Sequence, residues 1–165
     1  MGVEQFEDFY RAFKDGAIDP DDYWPLWRNV WDSCEDFTSL FEGDIVKRDH
    51  ILGAIFSKHV HLRSAFMTPE ENVKLLSLAG HVNIFRGGQQ ANIAGWSWTL
   101  DREYAKQRAR SGATDNRPLL AVVSSLPSSA ILAYIEKDGI SELIVDPLTI
   151  TIETGDYGNI IFERL

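Results

Sequence analysis

The sequence predicts an α+β protein, with helices in residues 1–80 and a β-sandwich-like body in residues 81–165. Apolar residues recur at helical spacing as far as about residue 80, whereas from His81 onward they alternate or form short continuous runs. Glycine, proline and aspartate punctuate these segments and mark turns. The length of 165 residues suits one domain, which we expect to cover residues 1–165.

Aromatic residues at helical spacing predict the first two helices. The segment EQFEDFYRAFKDG carries four of them and ends at Gly16, a typical helix stop. In DDYWPLWRNVWDSCEDF three tryptophans lie at positions i, i+3 and i+7, which is one stripe of a helix: Trp24, Trp27 and Trp31. We expect this stripe to be core, with Asp21 or Asp22 as the N-cap and Pro25 in the first turn.

Two further helices complete the N-terminal half. DHILGAIFSKHVHLRSAF is expected to be helical, with Ile51, Ile55 and Leu62 facing inward. TPEENVKLLSLAG has a proline at the first helical position and ends at Gly80.

The second half reads as short strands with one helix among them. HVNIFR alternates and is expected to break at Gly87-Gly88, and WSWTL is a short aromatic strand. Asp101 is placed to cap a helix over REYAKQRAR. The remaining predicted strands are PLLAVVSSL, AILAYIE, ELIVD, LTITIE and NIIFERL.

The net charge argues against a nucleic-acid-binding protein. The net charge is −9, with 8 basic and 15 acidic residues in positions 1–80 and 8 basic and 10 acidic in positions 81–165. Such a chain is repelled by phosphate backbones, so we do not expect a nucleic-acid partner. The basic stretch from Arg102 to Arg117 is a local exception, which we interpret as the solvated face of a helix.

Cysteine and histidine usage argues against a metal centre. Cys34 is the single cysteine, so no internal disulfide can form, and we interpret it as an inert thiol. His59 and His61 are two residues apart and would face different sides of a helix, so no metal site is expected.

The acidic, aromatic N-terminus does not look like a secretory signal, and no run is long enough to span a membrane. We therefore expect a cytoplasmic location, in a bacterial or a host cell, and no membrane partner.

Three motifs then occur in a suggestive order. FRGG ends a strand, SWT starts one ahead of a helix, and SELIVDP enters one near the C-terminus. This order resembles the mono-ADP-ribosyltransferases of the Arg-Ser-Glu class, related to cholera-toxin-like enzymes, with Arg86, Ser97 and Glu142 at the matching positions. The string from YWPLWRNVWDS to SELIVDP also looks like a group of bacterial and phage proteins with this fold. The resemblance implies an ADP-ribosyltransferase-like split β-sandwich behind the helical region, and NAD as a substrate.

The resemblance implies a role for each matching residue. Glu142 would bind a ribose hydroxyl and stabilise the oxocarbenium-like cation that forms when nicotinamide leaves. Arg86 would grip the NAD pyrophosphate with two parallel hydrogen bonds. Gly87 would let the backbone approach the nicotinamide amide or a phosphate. Ser97 would hold Glu142 by a hydrogen bond.

Other residues near the motifs are candidate NAD contacts. Thr99 lies two residues after Ser97 and is expected on the same face of the strand. Trp96 and Trp98 would point to the opposite face and belong mostly to the core, although one of them, with Trp98 the chosen candidate, or Tyr134 could stack on nicotinamide.

The chain departs from the family at Ile140, two residues before Glu142, where arginine-modifying members have glutamate and asparagine-modifying members have glutamine. An isoleucine cannot orient an acceptor, so the target stays open. Glu136, Lys137 and Asp138 are candidate acceptor contacts or a plain solvated turn. We expect an enzyme that transfers ADP-ribose from NAD to a macromolecule, with protein as the expected acceptor. A bacterial or phage effector would fit, and the alternatives are a NAD glycohydrolase and a catalytically silent binding protein.

Overall fold

The computed structural model describes residues 2–89, 93, 95–111, 117–150 and 160–165. The fold is α+β, as predicted, with the helices concentrated towards the N-terminus and small antiparallel sheets towards the C-terminus. Packing of the Cα atoms divides the chain into two compact units, Met1–Pro69 and Glu70–Leu165. The last predicted N-terminal helix therefore groups with the strands instead of with the helices before it. One domain over residues 1–165 stays a prediction.

The first unit consists of helical segments. They are α1 (Gly2–Lys14), α2 (Pro20–Ser33), α3 (Phe37–Leu40), α4 (Ile45–Ser57) and a 3₁₀ segment (Val60–Phe66). The predicted helix over residues 49–66 is interrupted, because α4 ends at Ser57 and His59 has a left-handed backbone with φ of 51°. Ile51 and Ile55 are buried as predicted, whereas Leu62 is half-buried.

The predicted tryptophan stripe forms the core of this unit. Trp24 and Trp27 are completely buried and Trp31 nearly so. Their rings pack edge-on or tilted against those of Phe56 and other aromatic residues. The Tyr23 hydroxyl donates to the carbonyl oxygen of Ile55 at 2.6 Å and so ties α2 to α4. Burial raises the pKa of Tyr23.

The start of α2 differs from the prediction. Asp19 is the N-cap, and its Oδ1 accepts from the backbone N–H of Asp21 at 2.9 Å. Pro20 occupies the first helical position, where its missing N–H has no intrahelical partner to lose. Asp21 and Asp22 therefore lie inside the first turn, and Pro25 lies in the helix interior. The prediction placed the helix start too late because it overlooked the Asp-Pro pair at 19–20.

The second unit contains the strands and two helices. They are α5 (Pro69–Leu76), β1 (His81–Gly88), β2 (Ser97–Trp98), α6 (Arg102–Ser111), β3 (Leu119–Pro127), β4 (Ala133–Lys137), β5 (Ile140–Ile144) and β6 (Ile160–Arg164). The first sheet has the order β1-β3-β6 and the second the order β2-β5-β4, and all pairs are antiparallel. A bridge between Phe85 and Thr99 connects the two sheets, with both N–H to O distances at 2.9 Å.

Two strand predictions were wrong in part. β1 does not break at the glycines, because Gly87 and Gly88 pair with Leu120 and Leu119 of β3. The start of the predicted strand LTITIE is a 3₁₀ turn over Pro147–Thr149, in which Asp146 caps the N–H of Leu148. Ile150 follows this turn and is buried. The rest of that segment, residues 151–153, lies outside the described residues, as does the predicted turn TGDYG. In the part of the chain that the structure describes, no helix has the length and apolarity needed to cross a membrane.

Candidate functional site

The three residues of the Arg-Ser-Glu pattern come from three strands of the second unit. Arg86 lies near the end of β1, Ser97 begins β2 and Glu142 is in the middle of β5. Ser97 pairs with Ile144, and Glu142 lies two residues from Ile144 on the same face of β5. The antiparallel register thus places a hydroxyl and a carboxylate from distant parts of the chain side by side.

The Ser97 hydroxyl donates to Glu142 Oε2 at 2.6 Å. This is the contact between these residues that the resemblance to the Arg-Ser-Glu enzymes implies. Both residues are half-buried, so the pair lies at the boundary between the core and solvent. A short O–H···O bond to a carboxylate is of the stronger, charge-assisted kind.

Arg86 holds the segment that carries Ser97. Its Nε donates to the carbonyl oxygen of Ile93 and its Nη1 to that of Ser97, each at 2.9 Å. Gly95 lies directly against the guanidinium, since a Cβ built on it would be 2.4 Å from Arg86 Cζ. Nε has a single hydrogen, so its use in binding a pyrophosphate would require the bond to the Ile93 carbonyl to break. The structure therefore gives Arg86 a positioning contact that the sequence did not predict.

Gly87 is a glycine because a helix packs on it. A Cβ at Gly87 would lie 1.9 Å from the carbonyl oxygen of Ala105 and 2.8 Å from the backbone nitrogen of Ala109, both in α6. The side of Gly87 that was expected to admit NAD is therefore occupied by α6.

Thr99 does not share the surroundings of Ser97, contrary to the prediction. Its backbone pairs with Phe85 of β1, which bends the chain away from β5 after Trp98. The Thr99 hydroxyl consequently lies 3.3 Å from Ser141 Oγ, on the other face of β5 from Glu142. Ser141 Oγ also accepts from the N–H of Leu100 at 3.0 Å.

The candidate stacking residues are all buried, and Trp96 is 4% exposed. Trp98 is 3% exposed, and its indole N–H donates to the carbonyl oxygen of Gly95 at 3.0 Å, so it is a core residue. Tyr134 is 7% exposed and pairs with Leu143 of β5, which places it on the same face as Ser141 and opposite to Glu142.

Tyr134 lines an open cleft of about 480 Å³. This volume lies in the range of small-molecule sites. The other lining residues come from the start of α6, the β4–β5 turn and β5: Leu100, Asp101, Arg102, Glu103, Gly139 and Ser141. Asp101 caps α6 as predicted, since its Oδ1 accepts from the N–H of Tyr104 at 3.0 Å. Arg86, Ser97 and Glu142 do not line this cleft.

The segment before Glu142 is a tight β-hairpin. Asp138 and Gly139 connect β4 to β5 and both have positive φ, 53° and 78°, which is typical of a two-residue type I′ turn. Lys137 pairs with Ile140 across this turn, so both lie on the face of Glu142. The connection between the two strands, which the sequence left open as an acceptor contact or a plain solvated turn, is therefore only two residues long.

Glu136 points to the other face and belongs to a contact with α5. Lys74 donates to Glu136 Oε2, and this hydrogen bond raises the pKa of Lys74. The buried carboxylate of Glu71 accepts from the backbone N–H of Glu136 at 2.9 Å. These contacts give Glu136 a role in packing α5 against β4. They do not place it near Glu142.

No group of three or more metal-ligating side chains occurs within the described ranges. No protein-family model, curated protein or solved structure matches the chain. The resemblance to the Arg-Ser-Glu enzymes therefore rests on the order of the motifs and on the contacts given above. Two residues of this region were not predicted from the sequence. Gly95 lies against the Arg86 guanidinium, and Ser141 binds the segment after Ser97. The available signals were a glycine directly before a strand and a serine at an inward-facing position of an apolar strand.

Proposed function

We propose that the chain is a NAD-dependent enzyme that cleaves the bond between nicotinamide and ribose, an ADP-ribosyltransferase of the Arg-Ser-Glu class. The observation that supports this most is the hydrogen bond between Ser97 and Glu142 at 2.6 Å, with Arg86 holding Ser97 through its carbonyl oxygen. Three residues that lie 11 and 45 positions apart in sequence are thus connected in the order that the resemblance requires.

In the proposed reaction the bond between C1′ of the ribose and the nicotinamide nitrogen breaks, and its electron pair leaves with nicotinamide. The ribose becomes a cation resembling an oxocarbenium ion, which the Glu142 carboxylate stabilises. An acceptor then bonds to C1′ and loses a proton. Ser97 keeps the carboxylate aimed at one place, so that little reorganisation is needed when the charge develops.

The β4–β5 hairpin favours water as a second candidate acceptor. A two-residue turn offers little surface for recognising a protein, and Ile140 has no polar group with which to orient one. If water bonds to C1′ and releases its proton to solvent, the products are ADP-ribose and nicotinamide, and the enzyme is a NAD glycohydrolase. The transfer to a protein and the hydrolysis share the Glu142 chemistry and differ only in the acceptor.

The test is nicotinamide release from labelled NAD, with and without a cell lysate as a source of acceptors. Glu142→Gln retains the shape of the side chain and removes its charge, and Glu70→Gln makes the same change at an exposed position of the same unit. Loss of electrostatic stabilisation of this kind costs about 10²–10³ in rate. We expect that loss for Glu142→Gln and none for Glu70→Gln.

The labelled products separate the candidate reactions. Label on a protein indicates transfer, whereas free ADP-ribose alone indicates hydrolysis. No release by the parent chain under either condition, or equal release by the parent and Glu142→Gln, would exclude the proposed chemistry.

A further inference from the structure

Ser141 precedes Glu142 in β5 and points to the opposite face of the strand. Its side chain is buried, with the residue 8% exposed. Its hydroxyl oxygen accepts from the N–H of Leu100 at 3.0 Å and lies 3.3 Å from the hydroxyl of Thr99. Both partners belong to the segment that directly follows Ser97, so Ser141 connects this segment to the strand of Glu142.

Backbone pairing reaches only the start of that segment. The β2–β5 ladder consists of Ser97 with Ile144 and Trp98 with Leu143. At Thr99 both the N–H and the carbonyl pair with Phe85 of the first sheet. The Ser141 hydroxyl therefore serves as the acceptor from β5 at the point where the chain turns towards the other sheet.

The contacts continue from Ser141 to the start of α6. Thr99 Oγ1 accepts from the N–H of Asp101 at 3.1 Å, and Asp101 caps α6. Since both the Ser141 and Thr99 oxygens accept from backbone N–H groups, one of the two hydroxyls donates to the other. Hydrogen bonds connected in this way reinforce one another in a buried environment.

We propose that Ser141 is a positioning residue that sets the distance between Ser97 and Glu142. It is covalently adjacent to Glu142, and it holds Leu100 three residues after Ser97. Loss of its hydroxyl frees the segment to move along β5 and lengthens the bond between Ser97 Oγ and Glu142 Oε2. This inference rests on the proposed function for its catalytic meaning, whereas the positioning itself is a structural statement.

The experiment compares Ser141→Ala, which removes the hydroxyl, with Ser141→Thr, which retains it on a side chain suited to strands. Leu126→Ala is the control, because Leu126 is fully buried in β3 of the other sheet and has no polar side-chain atom. Three quantities are measured: amide hydrogen exchange at Leu100, the side-chain carbon resonances of Ser97 and Glu142, and the kcat and KM of nicotinamide release.

In Ser141→Ala we expect exchange at Leu100 to accelerate about tenfold, the change that corresponds to loss of one hydrogen bond. The Val145 amide, which donates to the Trp96 carbonyl, should exchange as before. The Ser97 and Glu142 resonances should shift and kcat should fall with KM unchanged. Ser141→Thr should restore all of these, and Leu126→Ala should lower stability without moving the resonances.

Unshifted Ser97 and Glu142 resonances in Ser141→Ala would overturn the inference, and so would an equal shift in Leu126→Ala. If the parent chain releases no nicotinamide, the proposed function fails. The exchange and the resonances then still decide whether Ser141 positions Ser97 against Glu142.

Discussion

Replacing Gly95 with alanine tests whether Arg86 holds the Ser97 segment. A Cβ at this position would lie 2.4 Å from Arg86 Cζ and Nη2 and 2.8 Å from Nε. Real Cβ atoms do not approach heavy atoms this closely, so the guanidinium must move. Its hydrogen bonds to the carbonyl oxygens of Ile93 and Ser97 would then break or lengthen.

The expected cost follows from these two bonds. A hydrogen bond to a charged group contributes about 1.5–3 kcal/mol, and the lower value applies because Arg86 is half-buried and water can replace part of each bond. Two such bonds amount to about 3 kcal/mol. The glycine-to-alanine change also restricts the unfolded chain, which stabilises by about 0.4–1 kcal/mol. We therefore expect Gly95→Ala to lower the free energy of unfolding by roughly 2–2.5 kcal/mol.

The assay is urea unfolding of the parent, Gly95→Ala, Arg86→Ala and the double variant. Gly80→Ala is the matched control, because a Cβ there meets no atom within 4 Å, and it should be neutral or slightly stabilising. If the cost arises from the guanidinium, Gly95→Ala should be nearly neutral once Arg86 is alanine. An equal cost in both backgrounds would refute the reasoning and place the strain elsewhere.

Three further predictions concern positions outside this contact. Gly87→Ala should lower the free energy of unfolding in urea more than Gly95→Ala does, because its Cβ meets the backbone of α6 at Ala105, which cannot move alone. A change as small as that of Gly80→Ala would contradict the packing of α6 on Gly87. Asp19→Ala should lose about 1 kcal/mol in the same assay through loss of the α2 N-cap, and an unchanged midpoint would show that Asp19 is not the cap. Burial raises the pKa of the Cys34 thiol in the folded chain. Above the usual thiol pKa of about 8.5, the unfolded chain therefore binds fewer protons than the folded chain. The free energy of unfolding consequently falls as the pH rises. Cys34→Ala should flatten this decline between pH 7.5 and 9.5 in urea unfolding, and an identical slope in parent and variant would refute it.

The sequence predicted the helices and strands well where the spacing of apolar residues agrees with the capping and turn residues. The tryptophan stripe of α2 and the N-cap of α6 were confirmed, because burial and capping follow from local spacing. The prediction that β1 breaks at Gly87 was wrong because of tertiary packing. The glycine there accommodates a helix that packs on a continuing strand, and such close approach has no local signature.

The candidate site was predictable only in part for a similar reason. The contact between Ser97 and Glu142 followed from the order of the motifs, whereas the place of Thr99 did not. Alternation places residues i and i+2 on one face only while the backbone continues as a regular strand. Since Thr99 leaves β5 to pair with Phe85, its side chain meets Ser141, and this switch depends on how two sheets join.

The two faces of β5 separate the proposed reaction from the open cleft. Glu142 and Ser97 lie on one face, whereas Ser141 and Tyr134 lie on the other, and the latter two line the cleft. A nicotinamide ring stacked on Tyr134 would therefore be on the wrong side of the strand for Glu142 to stabilise the ribose cation. We expect Tyr134→Phe and Tyr134→Leu to release nicotinamide with the kcat and KM of the parent, provided that urea unfolding shows them folded, while Ser97→Ala loses activity. A raised KM in Tyr134→Leu together with an unchanged KM in Tyr134→Phe would instead place the nicotinamide ring on Tyr134. The carboxylate that stabilises the ribose cation would then have to lie on the cleft side of β5 and could not be Glu142. Asp101 and Glu103 are the carboxylates that line the cleft.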